Sequence, residues 1–190
     1  LPPDVNESDV GFTVYKNVIR FGLSAIKGLN KAAKEIVKAR QDGGLAAPFK
    51  DIADFYVRCK DRGVNKGVME TLAKVGAFDS FGLSRAAILN AIAQLLSHSK
   101  ELERYNKKTE TYQKRMQRCQ DRADERIQAY EQGKKLKPLL KLPDKPEEPV
   151  PPIIQNIEEM PHDEILENEK RLLGVYVSGH PLYILGETIL

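Results

Sequence analysis

The sequence predicts a mainly α-helical fold with one small β-hairpin and a long helical insert. Three observations carry that expectation. Between Leu23 and Gly82 apolar residues recur at helical spacing in short runs broken by glycines. From Leu102 to Tyr130 they advance by threes and fours without a break, and strict alternation is confined to positions 12–21.

Taken in order, residues 1–22 read as a lead-in segment and the hairpin. Asn6, Ser8 and Asp9 are turn formers, and Phe12, Val14, Ile19 and Phe21 are the apolar partners about a Lys16-Asn17 centre. Residues 23–96 form the predicted core region. Its helices are expected over Leu23–Lys27, Lys31–Arg40, Lys50–Lys60 and Lys66–Lys74, followed by one that starts behind Ser84 as N-cap and carries Ile88, Ile92, Leu95 and Leu96 on one face. That last helix is expected to continue into residues 97–133. There Leu102, Tyr105, Thr109, Tyr112, Met116, Cys119, Ala123, Ile127 and Tyr130 trace the seam of a coiled coil or helical hairpin, with charged residues crowding the outside. Residues 134–161 hold Pro138, Pro143, Pro146, Pro149, Pro151, Pro152 and Pro161, which exclude helix and central strand and favour an extended, polyproline-like linker. In residues 162–190 a helix over His162–Leu173 has glutamates early and Lys170-Arg171 late, as the helix dipole favours, and ends at Gly174. Ser178-Gly179-His180 then reads as a turn before Pro181, leading toward a following domain.

Composition excludes several classes. Net charge is only +3, so any affinity for nucleic acid must come from the distribution of charge rather than its total. Two cysteines sixty positions apart have neither zinc-site spacing nor the density of a disulfide scaffold, which fits a reduced cytoplasm. His98, His162 and His180 are too scattered for a metal site, and the chain has no apolar run long enough to span a membrane. Neither a Walker loop nor a dinucleotide fingerprint occurs, and no cofactor is expected.

One constellation suggests chemistry. Ile26-Lys27-Gly28-Leu29-Asn30-Lys31 reads as a tight turn between two helices, with Gly28 and Asn30 both tolerant of left-handed backbone angles. Such a turn leaves amides free at the start of the second helix, where the dipole also favours an anion. Lys27, Lys31, Lys34 and Lys38 supply positive charge close behind. A solvated helix face after an ordinary glycine turn would carry the same residues. A second turn, Lys74-Val75-Gly76-Ala77 through Gly82, precedes Ser84-Arg85 at another helix start. Arg104, Lys108, Arg115, Arg118, Arg122 and Arg126 roughly follow one face of the insert, interleaved with acids.

Five blocks, Leu1-Pro2-Pro3-Asp4-Val5-Asn6-Glu7-Ser8, Ile19-Arg20-Phe21-Gly22-Leu23, Ala25-Ile26-Lys27-Gly28, Gly76-Ala77-Phe78-Asp79 and Leu173 through Leu182, occur in an order that resembles the C-family replicative polymerases, the bacterial DNA polymerase III α subunits. The resemblance implies the region after the fingers domain, with a tandem helix-hairpin-helix core that holds duplex DNA through its backbone. It implies phosphate contacts from the Gly28, Leu29 and Asn30 amides with charge from Lys27, Lys31 and Lys34, and like contacts from Gly76, Ala77 and Arg85. Where that family usually has a second glycine, this chain has Asn30. The catalytic carboxylates of the family lie in its palm domain, so no catalytic residue is expected here. The partners it implies are double-stranded DNA, the rest of a polymerase chain, and the sliding clamp or other replisome proteins. Gln155-Asn156-Ile157 lacks the Leu-Phe pair of a clamp-binding peptide. An alternative reading makes the segment an assembly module of the replisome that acts through its helical insert.

Overall fold

The structure, a computed structural model, describes residues 1–15, 17–42 and 47–179. Strands β1 (Thr13–Tyr15) and β2 (Val18–Arg20) pair antiparallel with Val14 opposite Ile19, and Asn17 takes the left-handed angle that the reversal needs. Lys16 and the Pro181 turn lie outside the described residues. Leu1 adds to the other edge of β2, donating from its amine to the Ile19 carbonyl and accepting from the Phe21 amide.

The helices are α1 (Asn30–Gln41), α2 (Ile52–Cys59), α3 (Lys66–Lys74), α4 (Arg85–Glu131) and α5 (His162–Leu173). The expected helix at Leu23–Lys27 is only a 3-10 turn, Leu23–Ala25, because the chain must reverse at Gly28 before a full α-turn can close. Caps follow the sequence. The Asp51 and Asn65 side chains accept the amides of Asp54 and Val68, and Ser84 Oγ accepts that of Ala87.

The chain divides into two compact units, residues 1–96 with 152 onward, and residues 97–151. The first is built around Leu23, Ile26, Leu29, Ile36, Ile52, Met69, Leu72 and Ile88, all essentially sealed from water. A run of aromatic contacts, Phe49 to Phe55 to Phe78 to Phe81, crosses this core at centroid distances of 4.9, 5.0 and 6.0 Å. Asn6 ties the lead-in segment to it by exchanging two hydrogen bonds with the Phe49 backbone.

A buried ionic network closes this unit. Arg85, at the start of α4, donates to Glu169 of α5 at 3.2 Å and to Asp79 at 3.1 Å; the Glu169 side chain is fully buried. Glu169 also accepts the amides of Val177 and Ser178 and the Ser178 hydroxyl. Glu159, in the proline-rich return, accepts the amides of Arg85 and Ala86, while Asn156 accepts that of Ser84. The return therefore supplies the cap that α4 would otherwise take from water.

In the second unit the seam of α4 does not meet another helix. The return runs antiparallel along it. Arg126 donates to the Lys137 carbonyl and Cys119 to that of Lys141, and the next shallow clefts bring Tyr112 beside Pro143 and Tyr105 beside Pro146 and Pro149. Pro143, Pro146 and Pro149 are half-buried while the residues between them are exposed, the three-residue period of a polyproline helix. The lengths agree: α4 climbs about 31 Å from Tyr105 to Arg126 at about 1.5 Å per residue, and a polyproline strand covers about the same from Lys137 to Glu147 at about 3.1 Å per residue.

Burial alone would raise the Glu169 carboxyl, but the Ser178 hydroxyl, the Ser178 and Val177 amides and Arg85 together hold it below the usual carboxylate range. A depressed folded-state value gives stability that is present above the unfolded carboxylate range and is lost as pH falls through the folded one. Glu169→Gln should cost about 3 kcal/mol at neutral pH by stranding Arg85, and should flatten the acid limb of a stability-versus-pH curve from chemical denaturation. Tyr105→Ala with Tyr112→Ala should hasten proteolysis within residues 134–149 and leave hydrogen-exchange protection of the first unit unchanged.

Candidate nucleic-acid interface

The first turn is open on the side that matters. Gly28 has φ +87°, and a Cβ there would meet nothing within 4 Å, so the backbone angle rather than crowding requires glycine. Leu29, 1% exposed, plugs the core, whereas Lys27, Gly28, Asn30 and Lys31 on either side are exposed. The Lys27 amide is fixed by the Leu172 carbonyl of α5, and the Leu29 amide by Ile26. The amides of Gly28, Asn30 and Lys31 have no acceptor among the described residues. Lys31, Lys34 and Lys38 share the exposed face of α1, opposite Ala32, Ala33, Ile36 and Val37. Lys38 pairs with Glu35 at 2.9 Å; Lys27, Lys31 and Lys34 form no ion pair among the described residues. Asn30 is helical, not left-handed as the sequence suggested, because Gly28 alone reverses the chain and α1 begins at once. The second glycine of the related turns is therefore not needed for a backbone angle here.

Gly76, Ala77 and Arg85 are brought together, but facing inward. The Gly76 amide donates to Ala73 and the Ala77 amide to Leu72, and both residues are buried. A Cβ on Gly76 would lie 2.3 Å from Arg85 Nη2, so this glycine makes room for a guanidinium that is itself held by Asp79 and Glu169. The donors and the charge expected to meet a phosphate at this turn are already engaged within the fold. The Gln155-Asn156-Ile157 stretch is likewise in use, through Asn156.

Sequence reading missed a second open turn. Arg62-Gly63-Val64-Asn65-Lys66, between α2 and α3, repeats the pattern of Lys27-Gly28-Leu29-Asn30-Lys31: basic, glycine, aliphatic, Asn, Lys. The geometry repeats too. Gly63 has φ +88° with open space at its Cβ position, Val64 is 1% exposed, and Asn65, Lys66 and Gly67 are exposed. The amides of Asn65, Lys66 and Gly67 have no acceptor among the described residues, while Arg62 bonds Asp42 at 2.8 Å, just past the end of α1. The five-residue repeat was available in the sequence and is the signal that would have found it.

The six basic residues that the sequence aligned along the insert lie in the second unit. Arg104, Lys108, Arg115 and Arg118 are exposed, and Arg122 and Arg126 half-buried. Among the described residues no group of His, Cys, Asp and Glu could hold a metal ion, and no helix is long and apolar enough to cross a membrane. Ser178 is bound to Glu169, and His180 lies outside the described residues.

Comparison with known proteins accords with this geometry. Residues 1–88 match the family described as "Helix-hairpin-helix motif". Over 185 residues, 96% of the chain, the sequence is 37% identical to DNA polymerase III subunit alpha of Thermus aquaticus, and over 184 residues, again 96%, it is 31% identical to that of Bacillus subtilis. The Aquifex aeolicus subunit is 48% identical over 95 residues, 49% of the chain. The chain spans only 12%, 13% and 8% of these relatives' lengths respectively. Similarity along nearly the whole chain, with a helix-hairpin-helix motif over its first half, places it as a segment within the bacterial DNA polymerase III α subunit family, to which it belongs.

Proposed function

We propose that this segment holds duplex DNA during replication by gripping the sugar-phosphate backbone, without reading bases and without performing chemistry. The observation that supports it most is the twin geometry at Gly28 and Gly63: a solvent-facing left-handed glycine, a buried plug, unengaged helix-start amides and a lysine beside them. Gly28, Leu29 and Asn30 form the first seat, with Lys27, Lys31 and Lys34 supplying charge. Gly63, Asn65, Lys66 and Gly67 form the second, which takes the place of the Gly76 turn in this account. Two seats on a rigid core suit a regular double helix better than a flexible single strand. A polymerase active site elsewhere in the parent chain is carried over from the relatives' name, and a cytoplasmic setting is inferred from the two widely spaced thiols.

Such binding should weaken steeply with salt, with a log-log slope of about −3 to −5 for roughly three to six neutralised phosphates. In a fluorescent-duplex titration, Lys27→Glu with Lys31→Glu should flatten that slope by about 2, equally for unrelated sequences, because each lysine displaces about one counterion. Arg62→Glu with Lys66→Glu should act alike, and single-stranded DNA should bind more weakly throughout. Unchanged affinity in both double variants, with helical content confirmed by circular dichroism because Arg62 and Lys66 also pair with Asp42 and Glu70, would refute the reading.

A further inference from the structure

Within the second unit, the end of α4 and the start of the return combine two features that play no part in the turns. Arg122, Arg126, Lys134, Lys135 and Lys137 line a cavity of about 290 Å³ in which Glu125 is the one carboxylate. Glu125 is already bridged by Arg122 and Lys137, each at 3.5 Å, and Lys134 and Lys135 form no ion pair among the described residues. Immediately after this cavity the chain reads Leu136-Lys137-Pro138-Leu139-Leu140-Lys141-Leu142, and its leucines face water: Leu139 and Leu142 are each 64% exposed, Leu140 45% and Leu136 37%. Tyr130, at the end of α4, is 76% exposed.

An apolar cluster rimmed by charge of one sign is the composition of an interaction surface rather than of a solvated tip. The two components together select the occupant. A phosphodiester backbone would neutralise the cations but leave four leucines in water. A chain that offers carboxylates to the cavity and apolar side chains to the leucines satisfies both. The surface is also partly ordered in advance, since Pro138 restricts the backbone and the carbonyls of Lys137 and Lys141 are anchored to Arg126 and Cys119, which lowers the entropy lost on docking. We infer that the tip of the insert, residues 122–142, is a docking surface for a protein segment in which acidic and apolar side chains alternate. The inference is independent of the turns and of DNA binding.

The test uses the whole chain and three fluorescent probes: a short peptide alternating Glu and Leu, a peptide of equal charge with Ser for Leu, and a DNA duplex. The Glu-Leu peptide is expected to bind. Leu139→Ser with Leu140→Ser should weaken it about tenfold, as should Lys135→Glu with Lys137→Glu, the size of effect found when anchors of a small interface are removed. The leucine pair should leave duplex affinity unchanged. All four side chains are largely exposed, so the fold is not at risk. The proposal is overturned if the Glu-Leu peptide fails to bind, or if the Glu-Ser peptide binds equally well, which would leave a bare anion site. It is overturned too if the lysine pair governs duplex affinity and the leucine pair governs nothing, the mark of a nucleic-acid surface.

Discussion

Everything at the candidate interface depends on one constraint: after each left-handed glycine the next side chain must be an aliphatic group that enters the core. Leu29 and Val64 meet it. Burying such a side chain contributes about 1.5–3 kcal/mol, comparable with the roughly 1–2 kcal/mol that a residue other than glycine would lose in the left-handed region. The plug fixes where the following helix begins, and with it the direction of the amides that no carbonyl among the described residues accepts. An anion seat is thus a by-product of packing, and its precision is that of the core beneath it.

The Gly76 turn shows what the same residue type does under the opposite constraint. Its Cβ position is filled by Arg85, its amides close local turns, and the α4 start behind it is capped by Glu159 and Asn156 from a distant part of the chain. A carboxylate occupies the place where the sequence pattern suggested a phosphate. Glycine-turn-helix is therefore not enough to mark a nucleic-acid contact. The distinguishing features are empty space at Cβ, a buried residue directly after the glycine, and helix-start amides with no acceptor among the described residues. The basic side chains differ, since Lys27, Lys31 and Lys34 form no ion pair among those residues whereas Lys66 pairs with Glu70 and Arg62 with Asp42.

Much of the fold was legible. Helices α3 and α5 are bounded where the periodicity and the glycines put them, Ser84 caps α4, and the hairpin strands sit within the alternating stretch. Local signals sufficed there because capping and amphipathic spacing act within a few residues. Long-range partners were not legible. That Glu169 would meet Arg85, or that the Tyr105 and Tyr112 seam would be covered by Pro143, Pro146 and Pro149 instead of a helix, depends on contacts between distant parts of the sequence that no local pattern encodes. The first seat was readable from Gly28 and its lysines. The second is hidden because Arg62–Lys66 sits in the join between two short helices, where only its five-residue likeness to Lys27–Lys31 marks it.

The most direct test of the account is a duplex titration followed by amide chemical shifts of the isotopically labelled chain. The twin-turn arrangement requires the amides of Gly28, Lys31, Lys66 and Gly67 to move together and saturate together, with those of Gly76 and Ala77 still. Shifts centred on Gly76 and Ala77, or confined to the insert while both turns stay silent, would contradict it.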